Sequence, residues 1–125
     1  MKMKFLLDTN FLMVPGQFRV DVYDQLRQMG PAELYVSELS VKELDRLAKK
    51  RGRNAACARV AMLLLRREGV KVVPAGREKH ADDAIRHMAV TKGMAVCTAD
   101  RALKASLLRR KVPVVVLRQR KYLVI

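Results

Sequence analysis

Short apolar runs alternate with amphipathic stretches of helical spacing along nearly the whole chain, and this alternation leaves few folds open. Phe5-Leu6-Leu7, Glu33-Leu34-Tyr35-Val36, Val70 to Val73, Met94 to Cys97 and Val112 to Leu117 read as strands of three to six residues. Between them, Val20, Tyr23 and Leu26 lie on one face of a segment that stops at Gly30-Pro31, with a loop through Val14-Pro15-Gly16 before it. Ser40 is expected to open a helix with Val41, Leu44, Leu47 and Ala48 on one stripe, closed by Gly52. A longer apolar helix then runs from about Asn54 to Glu68. Ala81, Ala84, Ile85, Met88 and Ala89 follow the i, i+3, i+4, i+7, i+8 pattern, and Asp100 to Arg110 forms a last helix. Strands separated by helices predict an α/β fold, a three-layer α/β/α sandwich around a central parallel sheet of about five strands. With 125 residues and no linker-like stretch, residues 1–125 are expected to form a single domain.

No apolar run approaches the roughly 18 residues needed to cross a bilayer, and the run after Lys2 and Lys4 is broken at Asp8. A soluble, cytoplasmic protein without membrane contact is the expectation. Cys57 and Cys97 sit among apolar neighbours without metal-type spacing, and read as buried free thiols. Charge says more. The chain has 26 Lys and Arg against 12 Asp and Glu, a net charge of +14, which points to a polyanionic partner such as nucleic acid. A generically basic surface suited to a hot or salty habitat is the competing explanation. Aromatic residues make up 5% of the chain, so binding should lean on charge rather than stacking.

The acids stand against this background at particular places. Asp8 ends the first strand and is followed by Thr9 and Asn10, short polar groups able to orient a carboxylate. Glu43 completes a Ser40-Val41-Lys42-Glu43 capping box, which accounts for it structurally without excluding a site role. Of the pair Asp82 and Asp83, Asp82 borders the buried stripe of its helix, whereas Asp83 projects towards solvent and His87. Asp100 follows the fourth strand through Thr98-Ala99 and suits an N-cap. Each has a structural explanation, yet all four positions follow strands or begin helices, which is one edge of a parallel sheet. Carboxylates converging there could not all stay ionised without a cation. Hard ions such as Mg2+ or Mn2+ take oxygen ligands of this kind, and could activate water against a phosphodiester.

In order, Leu7-Asp8-Thr9-Asn10, Val41-Lys42-Glu43-Leu44, Ala81-Asp82-Asp83-Ala84-Ile85 and Thr98-Ala99-Asp100 resemble the acidic motifs of the PIN-domain ribonuclease family over essentially the whole chain. No single motif is specific; the ordered set is. The resemblance implies a metal-dependent endoribonuclease with Asp8, Glu43, Asp82 and Asp100 as catalytic residues holding Mg2+ or Mn2+. Asn10, Thr98 and Asp83 would support them. Ala81 to Ile85 and the ending Val112 to Tyr122 resemble archaeal and eukaryotic PIN proteins of small-subunit ribosomal RNA processing. The short chain equally resembles VapC-type toxins, which usually act as homodimers with an antitoxin. The partner would accordingly be a ribosomal precursor particle or an antitoxin, and the sequence does not decide between them. Ala102 and Leu103 stand where many relatives carry a further acid, a departure that bears on a second metal ion.

Candidate RNA contacts are Lys49, Lys50, Arg51 and Arg53 in one basic segment, Arg109, Arg110 and Lys111 in a second, and Arg118, Arg120, Lys121 and Tyr122 in a third. The first two also suit solvated helix ends. A non-catalytic RNA-binding module with the same fold is the alternative to an enzyme. A haloacid-dehalogenase type phosphatase needs a second Asp two residues after the first, and here that position is Asn10. No glycine-rich phosphate loop is present.

Overall fold

The structure, a computed structural model, describes residues 2–125. Its sheet is built of β1 (Met3–Leu7), β2 (Ala32–Ser37), β3 (Lys71–Val73), β4 (Ala95–Cys97), β5 (Val114–Arg118) and β6 (Tyr122–Val124). The spatial order is β3-β2-β1-β4-β5-β6. The first five strands are parallel to their neighbours, and β6 returns antiparallel against β5. Helices α1 (Thr9–Leu12), α2 (Val14–Phe18), α3 (Val22–Gln28), α4 (Glu38–Ala48), α5 (Arg53–Arg67), α6 (Ala81–Lys92) and α7 (Arg101–Arg109) complete the α/β fold.

Strand alternation explains the layers. Phe5, Leu7, Ala95, Cys97 and Val115 face one side, where Phe11, Leu26, Leu44 and Ala58 of α1 and α3–α5 complete a buried cluster. Leu6, Val96 and Val114 face the other, packed on Ala84, Ile85, Met88, Leu103 and Leu107 of α6 and α7. Both cysteines are buried and free, and burial pushes the Cys97 thiol well above its ordinary value.

The chain winds outward from β1 to β3, then crosses to the other side of β1 for β4 and β5. The direction reverses between β1 and β4, so a crevice opens beyond their carboxyl ends, where doubly wound sheets bind ligands. Asp8 and Thr98 are the first residues past those two ends.

Four expectations are corrected. The sheet has six strands, because Gln119 and Arg120 adopt positive φ and turn the chain back into β6. A hairpin of that kind is usually announced by Asn-Gly, and neither residue is present there. Val14-Pro15-Gly16 is helical rather than a loop, since proline is tolerated in a first turn. Pro113 precedes β5 instead of lying in it; its carbonyl still accepts the Val96 N–H at 2.9 Å. Finally, Ser40 does not open a helix. Ser37 caps α4, accepting the Leu39 N–H at 3.2 Å, while Ser40 is fully buried inside it with no hydrogen-bond partner for its hydroxyl among the described residues. The Ser40–Glu43 capping box therefore does not exist. Glu43 lies in the second turn, free of a capping role.

Gly16 makes the tightest approach between α2 and α5. A Cβ there would meet the Cys57 Cα at 2.9 Å, a backbone atom that cannot turn aside. Gly16→Ala is expected to destabilise the protein by about 1–3 kcal/mol, measurable as a lower midpoint in urea unfolding with an unchanged slope.

Candidate metal centre

Asp8 is the buried centre of the crevice, with 5% of its surface exposed. Leu7 pairs with Cys97, and the Asp8 N–H bonds the Cys97 carbonyl at 3.0 Å, so the acid is positioned by the sheet itself. One carboxylate oxygen accepts the Thr9 N–H at 2.8 Å and caps α1; the other accepts the Thr98 hydroxyl at 2.7 Å. Burial raises the Asp8 carboxyl to about 6, against the lowering effect of these two bonds. The negative charges of Asp82 and Glu43 raise it further, which places both acids within electrostatic reach.

Asp100 joins through Thr98. Its N–H donates to the Thr98 hydroxyl oxygen at 3.0 Å, and its Oδ1 accepts the Leu103 N–H at 3.0 Å as the N-cap of α7. Asn10 fixes the same loop by accepting the Ala99 N–H at 3.0 Å. It also lies 3.5 Å from the Thr98 hydroxyl, but that group has one proton, and Asp8 takes it at the shorter distance. Thr98 thus holds two acids at once.

Asp82 and Asp83 separate. Asp83 bonds Arg86 at 2.9 Å on the outer face of α6, whereas Asp82 acts on Asp8. None of the ion pairs among the described residues involves Asp8, Glu43, Asp82 or Asp100.

These donors fit a hard divalent cation in kind: oxygen ligands, one of them buried, with none in an ion pair among the described residues. Among the described residues, however, no three Asp, Glu, His or Cys side chains are gathered tightly enough to close round an ion as they stand.

Two basic grooves flank the acids, and sequence reading missed most of their residues. One, of about 340 Å3, is lined by Asp100, Arg101, Lys104 and Arg118. Another, of about 420 Å3, places Lys42, Arg46, Lys79 and His80 beside Glu43. On sequence these are ordinary helix-surface cations, and only the topology carries them to the acidic edge. Of the predicted RNA contacts, Arg118 lies in the first groove. Several others have partners within the chain. Lys49 pairs with Asp45 at 3.0 Å, Arg53 donates to the Gln17 carbonyl at 3.0 Å, and Arg120 lies over Phe18. Lys50, Arg51, Lys121 and Tyr122 are exposed, Lys121 using its carbonyl to accept from Gln25.

The fold and this acidic edge define a class, and comparison with known proteins agrees. Residues 5–120 match the family model described as a PIN like domain, and the chain belongs to that family. Its relatives include Ribonuclease VapC9 of Archaeoglobus fulgidus, 32% identical over 93% of this chain and 84% of the relative. Among solved structures, the PIN domain endonuclease Utp24 superposes with a TM-score of 0.80 at 23% identity, over 94% of this chain and 87% of that one. The structure of VapBC-1 from nontypeable Haemophilus influenzae gives 0.64 at 18% identity, covering 90% and 96%. No helix among the described residues is long and apolar enough to cross a membrane.

Proposed function

We propose that this protein is a metal-dependent endoribonuclease that hydrolyses RNA phosphodiester bonds at the edge formed by Asp8, Glu43, Asp82 and Asp100. One observation carries the reading. In a member of a family with a named ribonuclease, a buried carboxylate stands at the switch point of the sheet, within the field of Glu43 and Asp82 and in no ion pair among the described residues, with two cationic grooves beside the acids. Asp8, Glu43, Asp82 and Asp100 would hold Mg2+ or Mn2+, which when bound supplies Lewis acidity and lowers the pKa of water. The protein's part is orientation. Thr98 and the Thr9 N–H aim the Asp8 oxygens, Asn10 fixes the loop, and Arg118, Arg101 and Lys104 offer positive charge to the RNA backbone. Asp83, neutralised by Arg86, is left outside.

The RNA and the setting can be framed from the relatives. Likeness to Ribonuclease VapC9 favours a ribonuclease of the VapC type, which would bring an antitoxin partner and a homodimeric state; the resemblance of Ala81 to Ile85 and of Val112 to Tyr122 to ribosomal RNA-processing PIN proteins favours work on a ribosomal precursor. Cutting end-labelled single-stranded and structured RNAs with Mg2+, Mn2+ or EDTA tests the reading. Defined internal cuts that need the metal are expected, and their positions separate the two roles. RNA that is bound but never cut with either metal would favour the non-catalytic module.

Thr98→Val, nearly isosteric, removes the donor to Asp8 and the acceptor of the Asp100 N–H. Loss of a group that orients metal ligands is expected to lower cleavage by about 10–100-fold. Because that hydrogen bond lowers the Asp8 carboxyl, its titration should move above 6 by carbon-detected NMR. Thr98→Ser should restore both.

A further inference from the structure

The edge opposite the acids carries a second basic site. Between the last turns of α6 and α7 a groove of about 570 Å3 opens over the amino ends of β1 and β4. Its cations come from three places: Lys2 and Lys4 at the start of β1, Lys92 ending α6, and Arg110 and Lys111 after α7. No acid lines it, and none of the five cations forms an ion pair among the described residues. Lysine and arginine at helix C-termini are ordinary companions of the helix dipole, which explains Lys92, Arg110 and Lys111. It does not explain Lys4. That residue stands on a central strand, on the face where Leu6 is buried under α6 and α7, yet it is exposed. Two helix ends contribute about half a negative charge each, so a surplus of roughly four positive charges remains.

The seam between α6 and α7 joins this groove to the acidic edge. Along the α6–α7 seam, Arg86 and Arg110 both donate to the Ser106 hydroxyl, at 2.8 and 3.0 Å. Two guanidinium groups therefore share one neutral oxygen, with Arg86 also held by Asp83 at the first turn of α6. The trough they line, about 460 Å3, also carries Glu78 and Asp83, so its acids offset its two arginines; it shares Val90 and Arg110 with the groove beyond it.

We propose that an RNA strand held at the acidic edge runs along the α6–α7 seam, past Ser106, into the groove of Lys2, Lys4, Lys92, Arg110 and Lys111. Only the placement of the cut end rests on the nuclease reading. The twelve residues of α6 span about 18 Å, which at 3.4 Å per stacked nucleotide is about five nucleotides. RNA fits better than an acidic protein because four of the five groove cations are lysines, residues depleted from protein–protein interfaces but suited to phosphate contact.

The test is binding in the Asp8→Asn background without metal, so that no cutting is required. A single-stranded RNA of about 15 nucleotides, three times the length of the seam, is titrated by fluorescence anisotropy across a salt series. The Lys92→Gln/Arg110→Gln/Lys111→Gln variant is compared with Arg19→Gln/Arg66→Gln/Arg67→Gln, which removes equal charge elsewhere. The groove variant should lose about tenfold or more in affinity, and its log–log salt slope should shrink by about 2, or 0.7 for each lost contact. The control should lose little of either. Equal losses in both variants would reduce the groove to general charge and overturn the proposal. So would a groove variant that loses binding to polyglutamate while its RNA slope is unchanged, which would assign the site to an acidic polypeptide. If wild type never cuts RNA but the groove variant loses slope, the nuclease reading fails and the binding track stands.

Discussion

Replacing Asp8 by Asn is expected to lower metal-dependent cleavage by on the order of 10^3-fold while making the metal-free protein more stable. The two effects have one cause. A carboxyl raised from 3.8 to about 6 by burial holds its proton more tightly in the folded state than in the unfolded one. Between those values the native state binds more protons, so stability falls as pH rises from about 4 to about 6 and levels off above. At neutral pH the ionised group costs about 3 kcal/mol, at 1.36 kcal/mol for each pKa unit. Asn removes that cost, keeps the Thr9 bond and reverses the Thr98 one, whose freed proton can turn to Asn10 Oδ1 at 3.5 Å. Its oxygen can accept the Thr9 N–H, and its amide can donate to the Thr98 hydroxyl oxygen. The gain in stability should be near zero at pH 4 and largest above pH 6, by urea unfolding in EDTA. A destabilised variant with intact cleavage would place the function elsewhere.

The second large effect separates neighbours. Asp82→Asn is expected to cost about 10^2-fold or more in cleavage, whereas Asp83→Asn should change it by less than about threefold. Both residues lie in the first turn of α6, and both would give the same loss if they acted only through the helix dipole. They differ in what they face. Asp82 acts on Asp8, and Asp83, 51% exposed, pairs with Arg86, 26% exposed, a pairing of small energetic weight. Rate constants on one RNA under saturating metal decide between these outcomes.

How much of this was legible depends on whether local sequence or topology decides each feature. Five parallel strands could be read because buried strands announce themselves as apolar runs between helices. Asp8 and Asp100 could be placed at this edge because Asp8 directly follows such a run and Asp100 follows one after Thr98-Ala99. Asp82 was separable from Asp83 because helical spacing alone sets which one borders the buried stripe. The start of α4 was not legible in the same way. Ser37 and Ser40 both suit a cap, and what selects Ser37 is the pairing of β2 with β3, which brings Ser37 opposite Val73. β6 was hidden behind a turn lacking Gly and Asn, inside a segment whose charge suggested RNA contact. The flanking cations Lys42, Lys79, Arg101 and Lys104 look like any solvated helix surface until the strand order brings them to the acids. The motif resemblance marks Thr98 as a supporting group, but its simultaneous hold on Asp8 and Asp100 emerges only where β1 and β4 lie side by side.

Mn2+ titration by calorimetry decides whether this acidic edge holds a divalent cation. Wild type at pH 7 should bind saturably and release part of a proton from Asp8. Binding should weaken sharply at pH 5, where the proton on a carboxyl of about 6 competes with the ion, and Asp8→Asn should abolish it at either pH. Equal Mn2+ binding by wild type and Asp8→Asn at pH 7 would contradict the account.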